Sequence, residues 1–321
     1  MIISNGLLIV AGIQAASLFL YYPTMRWATR WRLPVFIALW LIVSTCPFII
    51  VPKMPLGRGL AGMFTIWILV KAYDLEAQAI RGKKPSFPQF LQFSINGFWL
   101  VMQRRPAEMR LSALQNAKLL IGRSAIAFVS IALCTIVFKT DWTHRSFALE
   151  HIAKACTFYL ALMWSTNAAA AAWRLAGGIA LDPFDDPALA RTPGQFWRAW
   201  NRPAAQFFHE HVFTRAGGHR HLIRATLITF AVSALIHEYL FCIALRRPQG
   251  FQFAFFMLQG FAVVATLKIH PRGRKALFWT IITFTFELAV SVLFFASINH
   301  VVPFYSRPLP GWLGAWDRAT S

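Results

Sequence analysis

Eight apolar runs, each bounded by charged residues, dominate this chain; they lie near 2–21, 34–51, 59–76, 119–138, 152–172, 222–244, 251–269 and 276–298. About 20 consecutive apolar residues are enough for a helix to cross roughly 30 Å of hydrocarbon, so each run has about the length of a membrane span. Hydrocarbon offers backbone N–H and C=O groups no partner, which leaves helices or closed barrels as the only spanning structures, and continuous apolar runs select helices. The spacing therefore predicts an all-α, multi-pass helical membrane protein with about eight transmembrane helices. Composition agrees: 57% of the residues are hydrophobic, only 14% are charged, and the mean hydropathy is +0.50. No spacer rich in Gly, Pro or Ser and no internal repeat divides the runs, so one membrane domain over 1–321 is expected.

The formal net charge of +20 does not make this a nucleic-acid binder. Such a protein spreads Lys and Arg over a polar face, whereas here they sit between apolar runs, with anionic lipid headgroups as the natural counter-charge. The loops 22–33, 77–118, 173–224 and 268–275 hold most of the 32 Lys and Arg, and the positive-inside tendency places them in the cytosol with both termini on the opposite side. No Lys or Arg lies within Met1–Asn5, so the first run reads as a retained span rather than a cleaved signal. Enrichment in Ala, Arg and Trp, with compact loops, favours a bacterial inner membrane over an endoplasmic reticulum. Cys46, Cys134, Cys156 and Cys242 stand singly in apolar stretches, without ligand or redox spacing.

Two cytosolic loops are too apolar to be linkers: FPQFLQFSINGFWLVMQ (87–103) and FWRAWNRPAAQFFHEHVF (196–213) read as amphipathic or re-entrant elements at the interface. Within the sixth run, FAVSALIHEYLF places His237 and Glu238 inside an apolar helix, where a polar side chain is costly and by default has a task. Two readings stand for His237, a hydrogen-bonded structural imidazole or a general base. Glu238 lies about 100° away around the helix and is expected to brace a neighbouring segment. Ser233 is one turn before His237 and either lines the site or bonds to its own helix backbone. Among other intramembrane polar groups, Arg123 and Glu287 are candidates for an ion pair, Lys71 and Asp74 for an i,i+3 contact, and Asn167 for an interhelical hydrogen bond. His209, His211, His219 and His221 form two HxH pairs, which chelate a metal only from an extended segment; no metal site is expected.

FWRAWN, with NRP and His211 downstream, followed by SALIHEYLF, resembles the membrane-bound O-acyltransferase family, most closely its wax synthase, diacylglycerol and sterol O-acyltransferase branches. The resemblance is specific over 196–241. It implies a helical membrane fold around a central tunnel, His237 as the catalytic residue and Asn201 beside the reaction chamber, with Trp197, Trp200, Glu238, Ser233 and His211 in support. It also implies acyl-CoA as co-substrate, without a further cofactor, and a lipid alcohol as acceptor: a fatty alcohol, a diacylglycerol or a sterol-like hydroxyl. DPFDDPALARTPGQFW, leading into the motif, looks more like the wax synthase branch. Arg198, Arg202 and Arg215 are candidates to attract the CoA phosphates, although cytosolic arginines are also expected from topology alone. No Ser or Cys stands out as an acyl carrier, so a ternary complex is expected, and homo-oligomerisation is compatible with this reading. Two alternatives remain open at this point: a sugar, polysaccharide or peptide acceptor, and a membrane transporter with a His/Glu/Arg relay.

Overall fold

A computed structural model describes residues 2–51 and 53–319. Every regular element among them is helical: α1 (Ile2–Thr24), α2 (Thr29–Thr45), α3 (Pro55–Ile80), α4 (Phe87–Ser94), α5 (Ala113–Lys139), α6 (Phe147–Leu175), α7 (Pro193–Ala199), α8 (Arg202–Phe208), α9 (Leu222–Leu245), α10 (Phe251–Ala265), α11 (Arg274–Val301) and α12 (Gly311–Ala319). Each predicted run falls on one of the eight longer helices. Five are long and apolar enough to cross a membrane: Gly6–Thr24, Thr29–Ile49, Ala113–Lys139, Gly218–Leu245 and Arg274–Asn299. The other three differ for physical reasons. Helices α3 and α6 have the length but bury charge, Arg58, Lys71, Asp74 and Glu76 in one and Glu150, Lys154 and Arg174 in the other. The 15 residues of α10 span only about 22 Å at 1.5 Å per residue.

The chain forms two compact units, one of residues 1–104 with 236–248 and the other of residues 105–235 with 249–321. In the first, α3 is a polar spine whose charges are all matched. Arg32 and Glu76 form a buried salt bridge at 2.9 Å, and Tyr21 donates to the same carboxylate. Gln14 of α1 donates to the Ala61 carbonyl (3.0 Å) and to Thr65 Oγ1 (2.8 Å). Lys71 is fully buried. Its ammonium donates to the carbonyls of Phe93 and Asn96 (2.7 Å each) and of Trp99, and it lies 3.9 Å from the Phe93 ring centroid. Three charge-assisted bonds and a ring face replace the lost hydration. Asp74 accepts from the Met102 N–H at 2.9 Å. Asp74 acts electrostatically on Lys71, as the i,i+3 spacing leads one to expect, and both side chains in addition clamp the irregular 93–102 segment.

That clamp holds α4, the first of the two predicted interfacial elements. A capping box between Ser86 and Gln89 starts it, and Phe87, Leu91 and Ile95 leave an exposed apolar stripe. In the second unit, α5 and α6 pair as an antiparallel hairpin. A Ser112–Gln115 capping box starts α5, and a Ser146 cap starts α6. A core of Phe251, Phe255, Phe256, Leu293, Ala296 and Ala234 joins α9, α10 and α11. At the far end of the hairpin, the buried His151 is held by Tyr305 (2.8 Å) and the Leu288 carbonyl (2.8 Å). Burial and the Glu150 carboxylate hold the Tyr305 phenol well above its ordinary pKa, so it donates to Nδ1 while Nε2–H donates to the carbonyl.

Helix α9 contributes to both units, and a glycine allows close approach on each part. A Cβ on Gly62 of α3 would meet Leu240 Cδ1 at 2.9 Å, and a Cβ on Gly260 of α10 would meet Phe230 Cβ at 2.9 Å. The first contact is the far end of a flexible side chain, whereas the second is an atom fixed to the backbone. We expect Gly260→Ala to cost about 1–3 kcal/mol by overpacking. Gly62→Ala, aided by the better helix propensity of Ala, should be near neutral. Thermal unfolding of both variants in detergent checks this, and a larger loss for Gly62→Ala would contradict it.

Candidate active site

The aromatic motif is positioned by one carboxylate. Asp182, buried in the loop after α6, accepts from both terminal nitrogens of Arg123 (3.0 and 2.7 Å) and from Arg174 (2.8 Å). Arg174 is oriented in turn by Asn116 Oδ1 at 2.7 Å. Asn167 links α6 to α5 through its carbonyl, which accepts from Arg123 at 3.1 Å, while its side chain pairs with the Phe184 backbone, donating to its carbonyl and accepting from its N–H, each at 3.0 Å. Arg123 does not pair with Glu287, which instead accepts from Gln259. Asp182 lies nearer to Arg123 because both serve the same loop.

The pinned loop then carries the motif. The Asp185 N–H donates to the Ala199 carbonyl (3.0 Å), and the Arg202 N–H donates to the Pro183 carbonyl (2.8 Å). The Arg202 guanidinium bridges to Glu108 at 2.7 Å. Trp200 stacks with Tyr159 and Phe196 (centroids 5.6 and 5.4 Å) and meets Phe184 edge-on at 4.9 Å. Phe184 also borders a polar cavity of about 330 Å³, with Arg123, Arg202, Glu108, Asp185 and Asp186 among its walls.

The predicted interfacial segment 196–213 is not a span. It is two seven-residue helices broken at Trp200–Asn201, followed by a π-helical turn over His209–Phe213. Asn201 makes the break. It is exposed and left-handed (φ 43°), a conformation Asn tolerates better than most residues, and its Oδ1 caps α8 by accepting from the Ala204 N–H at 3.4 Å. Capping uses the carboxamide oxygen, so the NH₂ donor is directed away from the helix. His211 is buried in the π-helical turn beside the Phe207 ring at 4.8 Å. Arg198 and Arg215 are exposed. Among the described residues no three His, Cys, Asp or Glu cluster to hold a metal ion.

His237 lies on α9, half-buried, with Glu238 next to it and the buried Ser233 one turn earlier. His237 and Glu238 belong to the first unit, and Ser233, Trp197, Trp200 and Asn201 to the second. The 236–248 segment is firmly held within its own unit. Tyr239 donates to the Ser44 carbonyl (2.5 Å), Arg58 to the carbonyls of Ile243 (3.0 Å) and Ala244, and Arg246 to that of Phe48 (2.8 Å). The Arg58 bonds are unusual, because helix carbonyls near a C-terminus lack intrahelical partners and a guanidinium supplies them. The 222–235 part is held by Trp197, whose indole meets the Phe230 ring edge-on at 5.7 Å. Sequence reasoning missed Asp182, His151 and Gln259. For Asp182 a signal existed: two arginines, Arg123 and Arg174, inside or beside apolar runs required an acid.

A family model described as MBOAT, membrane-bound O-acyltransferase family, matches residues 13–295. Among curated proteins, acyl-CoA–sterol O-acyltransferase 1 of Arabidopsis thaliana is 26% identical over 285 residues, which cover 82% of this chain and 81% of that protein. Sterol O-acyltransferase 1 of Saccharomyces cerevisiae is 39% identical over 67 residues, 20% of this chain and 11% of that protein.

The Asp182 hub predicts a large stability effect. Asp182→Ala leaves two guanidiniums with no carboxylate, and breaking a buried pair in this way costs about 3–5 kcal/mol. Thermal unfolding in detergent should show a loss well beyond that of Asp185→Ala, whose carboxylate is exposed; equal losses would refute the hub.

Proposed function

This chain belongs to the membrane-bound O-acyltransferase family and is an integral membrane acyltransferase, and from that premise we propose that it transfers a long acyl chain from acyl-CoA to the hydroxyl of a lipid alcohol, with His237 as general base. The observation that carries the reading is an imidazole within an apolar helix of a family acyltransferase, fixed on a segment whose backbone is anchored by Tyr239, Arg58 and Arg246. An alcohol is a weak nucleophile. A neutral imidazole within hydrogen-bond reach accepts its proton as the oxygen attacks the thioester carbonyl. The tetrahedral intermediate then collapses with cleavage of the C–S bond, and the imidazolium returns the proton to the departing thiolate, giving an ester and free CoA. The Asn201 NH₂ is the proposed donor to the developing oxyanion. Glu238 and Ser233 support the histidine, and Trp197, Trp200 and His211 support the motif.

The acceptor class follows from the solvent: a lipid alcohol reaches an intramembrane base from the bilayer, whereas a sugar must leave water. The names of the plant and yeast relatives favour a sterol-like hydroxyl. The basic loops face the cytosol in this reading, where Arg198 and Arg215 meet the CoA phosphates; composition supports a bacterial inner membrane as host. Arg202, engaged with Glu108, shapes the motif more than it binds the donor.

Removing the base should cost about 10²–10⁴ in kcat while leaving acyl-CoA affinity within about threefold, because the imidazole acts in the transition state rather than in binding. Steady-state transfer of palmitoyl-CoA to a lipid alcohol, together with equilibrium binding of a non-hydrolysable thioether analogue, tests His237→Ala. Full activity in a folded variant would remove His237 as the base.

A further inference from the structure

A buried hydrogen-bond chain leads from the motif into the middle of α11. The Trp197 indole Nε1–H donates to Gln259 Oε1 at 3.0 Å, and Gln259 Nε2 donates to Glu287 Oε2 at 2.7 Å. Gln259 is fully buried and Glu287 is 6% exposed. The direction of the chain is forced. An indole can only donate, so the amide must turn its oxygen to Trp197; its NH₂ then faces α11 and requires an acceptor there. Glutamate supplies one. Its second oxygen, Oε1, is buried without a hydrogen-bond partner among the described residues, as is Thr283 Oγ1 one turn earlier. An acid kept in an apolar helix at such cost points to a task.

What the chain controls is the ring of Trp197. That ring meets Phe230 of α9 and the Phe255 and Phe256 rings of α10, with centroids 5.5–6.1 Å away. Phe230 precedes His237 by seven residues, two turns along α9. Trp197 is also the second residue of FWRAWN, four positions before Asn201. A tryptophan that turns within this pocket moves α7 relative to the 222–235 part of α9.

We propose that Glu287 is a positioning residue for acyl transfer: through Gln259 it fixes Trp197, and with it the motif helix α7, against the 222–235 part of α9. The effect on catalysis rests on the acyltransferase reading above; the packing of α7 does not.

The test compares wild type, Glu287→Ala, Glu287→Gln, Gln259→Leu, Trp197→Phe and the double variant Trp197→Phe/Glu287→Ala in proteoliposomes. Two readouts are taken: kcat and KM for palmitoyl-CoA, and amide hydrogen exchange over residues 193–199. Glu287→Ala, Gln259→Leu and Trp197→Phe should each lower kcat about tenfold, the size of effect expected from misplaced reacting groups, with KM within about twofold. Glu287→Gln should stay within about threefold of wild type, because its amide oxygen accepts the same bond. The double variant should be no slower than the worse single, since all three residues act as one unit. Exchange in α7 should rise in Glu287→Ala and remain at the wild-type level in Glu287→Gln. Wild-type kinetics in Glu287→Ala, equal damage in Glu287→Gln, or multiplying losses in the double variant would overturn the proposal. Should wild type transfer no acyl group, the acyltransferase reading fails, and exchange alone decides the relay: unchanged α7 exchange in Glu287→Ala refutes it. If Glu287→Ala does not fold, Glu287→Gln against Trp197→Phe carries the same comparison.

Discussion

An unpaired charge has no stable place in hydrocarbon, and the helices of this protein are arranged around the few sites where charge is buried nonetheless. Asp182 is the clearest. One carboxylate receives two guanidiniums from α5 and α6, and the loop it occupies hands backbone hydrogen bonds to both halves of the broken aromatic motif. Without that pairing, Arg123 and Arg174 would have no anion and the motif no floor. In the other unit Lys71 plays the corresponding part: three carbonyls of an irregular segment accept from its ammonium. Each interfacial element is thus tied to a membrane helix by a buried charge.

Two histidines on the long helices are placed by different means. His151 has both ring nitrogens engaged, by a phenol and a helix carbonyl, and joins α6 to α11 and to the segment following it. His237 stands on a helix whose neighbouring residues do the anchoring: Tyr239 bonds through its side chain, and Ile243 and Ala244 through their carbonyls. These bonds fix the backbone that carries His237.

Much of this was legible in the sequence. The eight apolar runs each became a helix, since span length and hydrophobicity are local properties. The cost of an intramembrane polar group singled out His237 and Glu287 for the same reason; the break at Asn201 between two short helices was not legible. Long-range partners were not legible. Arg123 was matched with Glu287 because both lie in apolar runs, yet the structure pairs Arg123 with a loop carboxylate and Glu287 with Gln259. Lys71 and Asp74 satisfy i,i+3 spacing, but their bonds to backbone groups 22–28 residues away follow from no local pattern. Length and hydropathy together single out five of the eight helices as able to span; α3 and α6 fall outside because of the charged residues they carry.

The central claim is that His237 serves acyl transfer to a lipid alcohol, and the most direct measurement follows the acyl group itself. Purified chain in proteoliposomes is given isotope-labelled palmitoyl-CoA with a panel of sterols, fatty alcohols, diacylglycerol and soluble sugars, and the products are identified by mass spectrometry. The account predicts a labelled ester of a lipid alcohol with one free CoA released per ester formed; label carried only by a soluble acceptor, or CoA released without any ester, would contradict it.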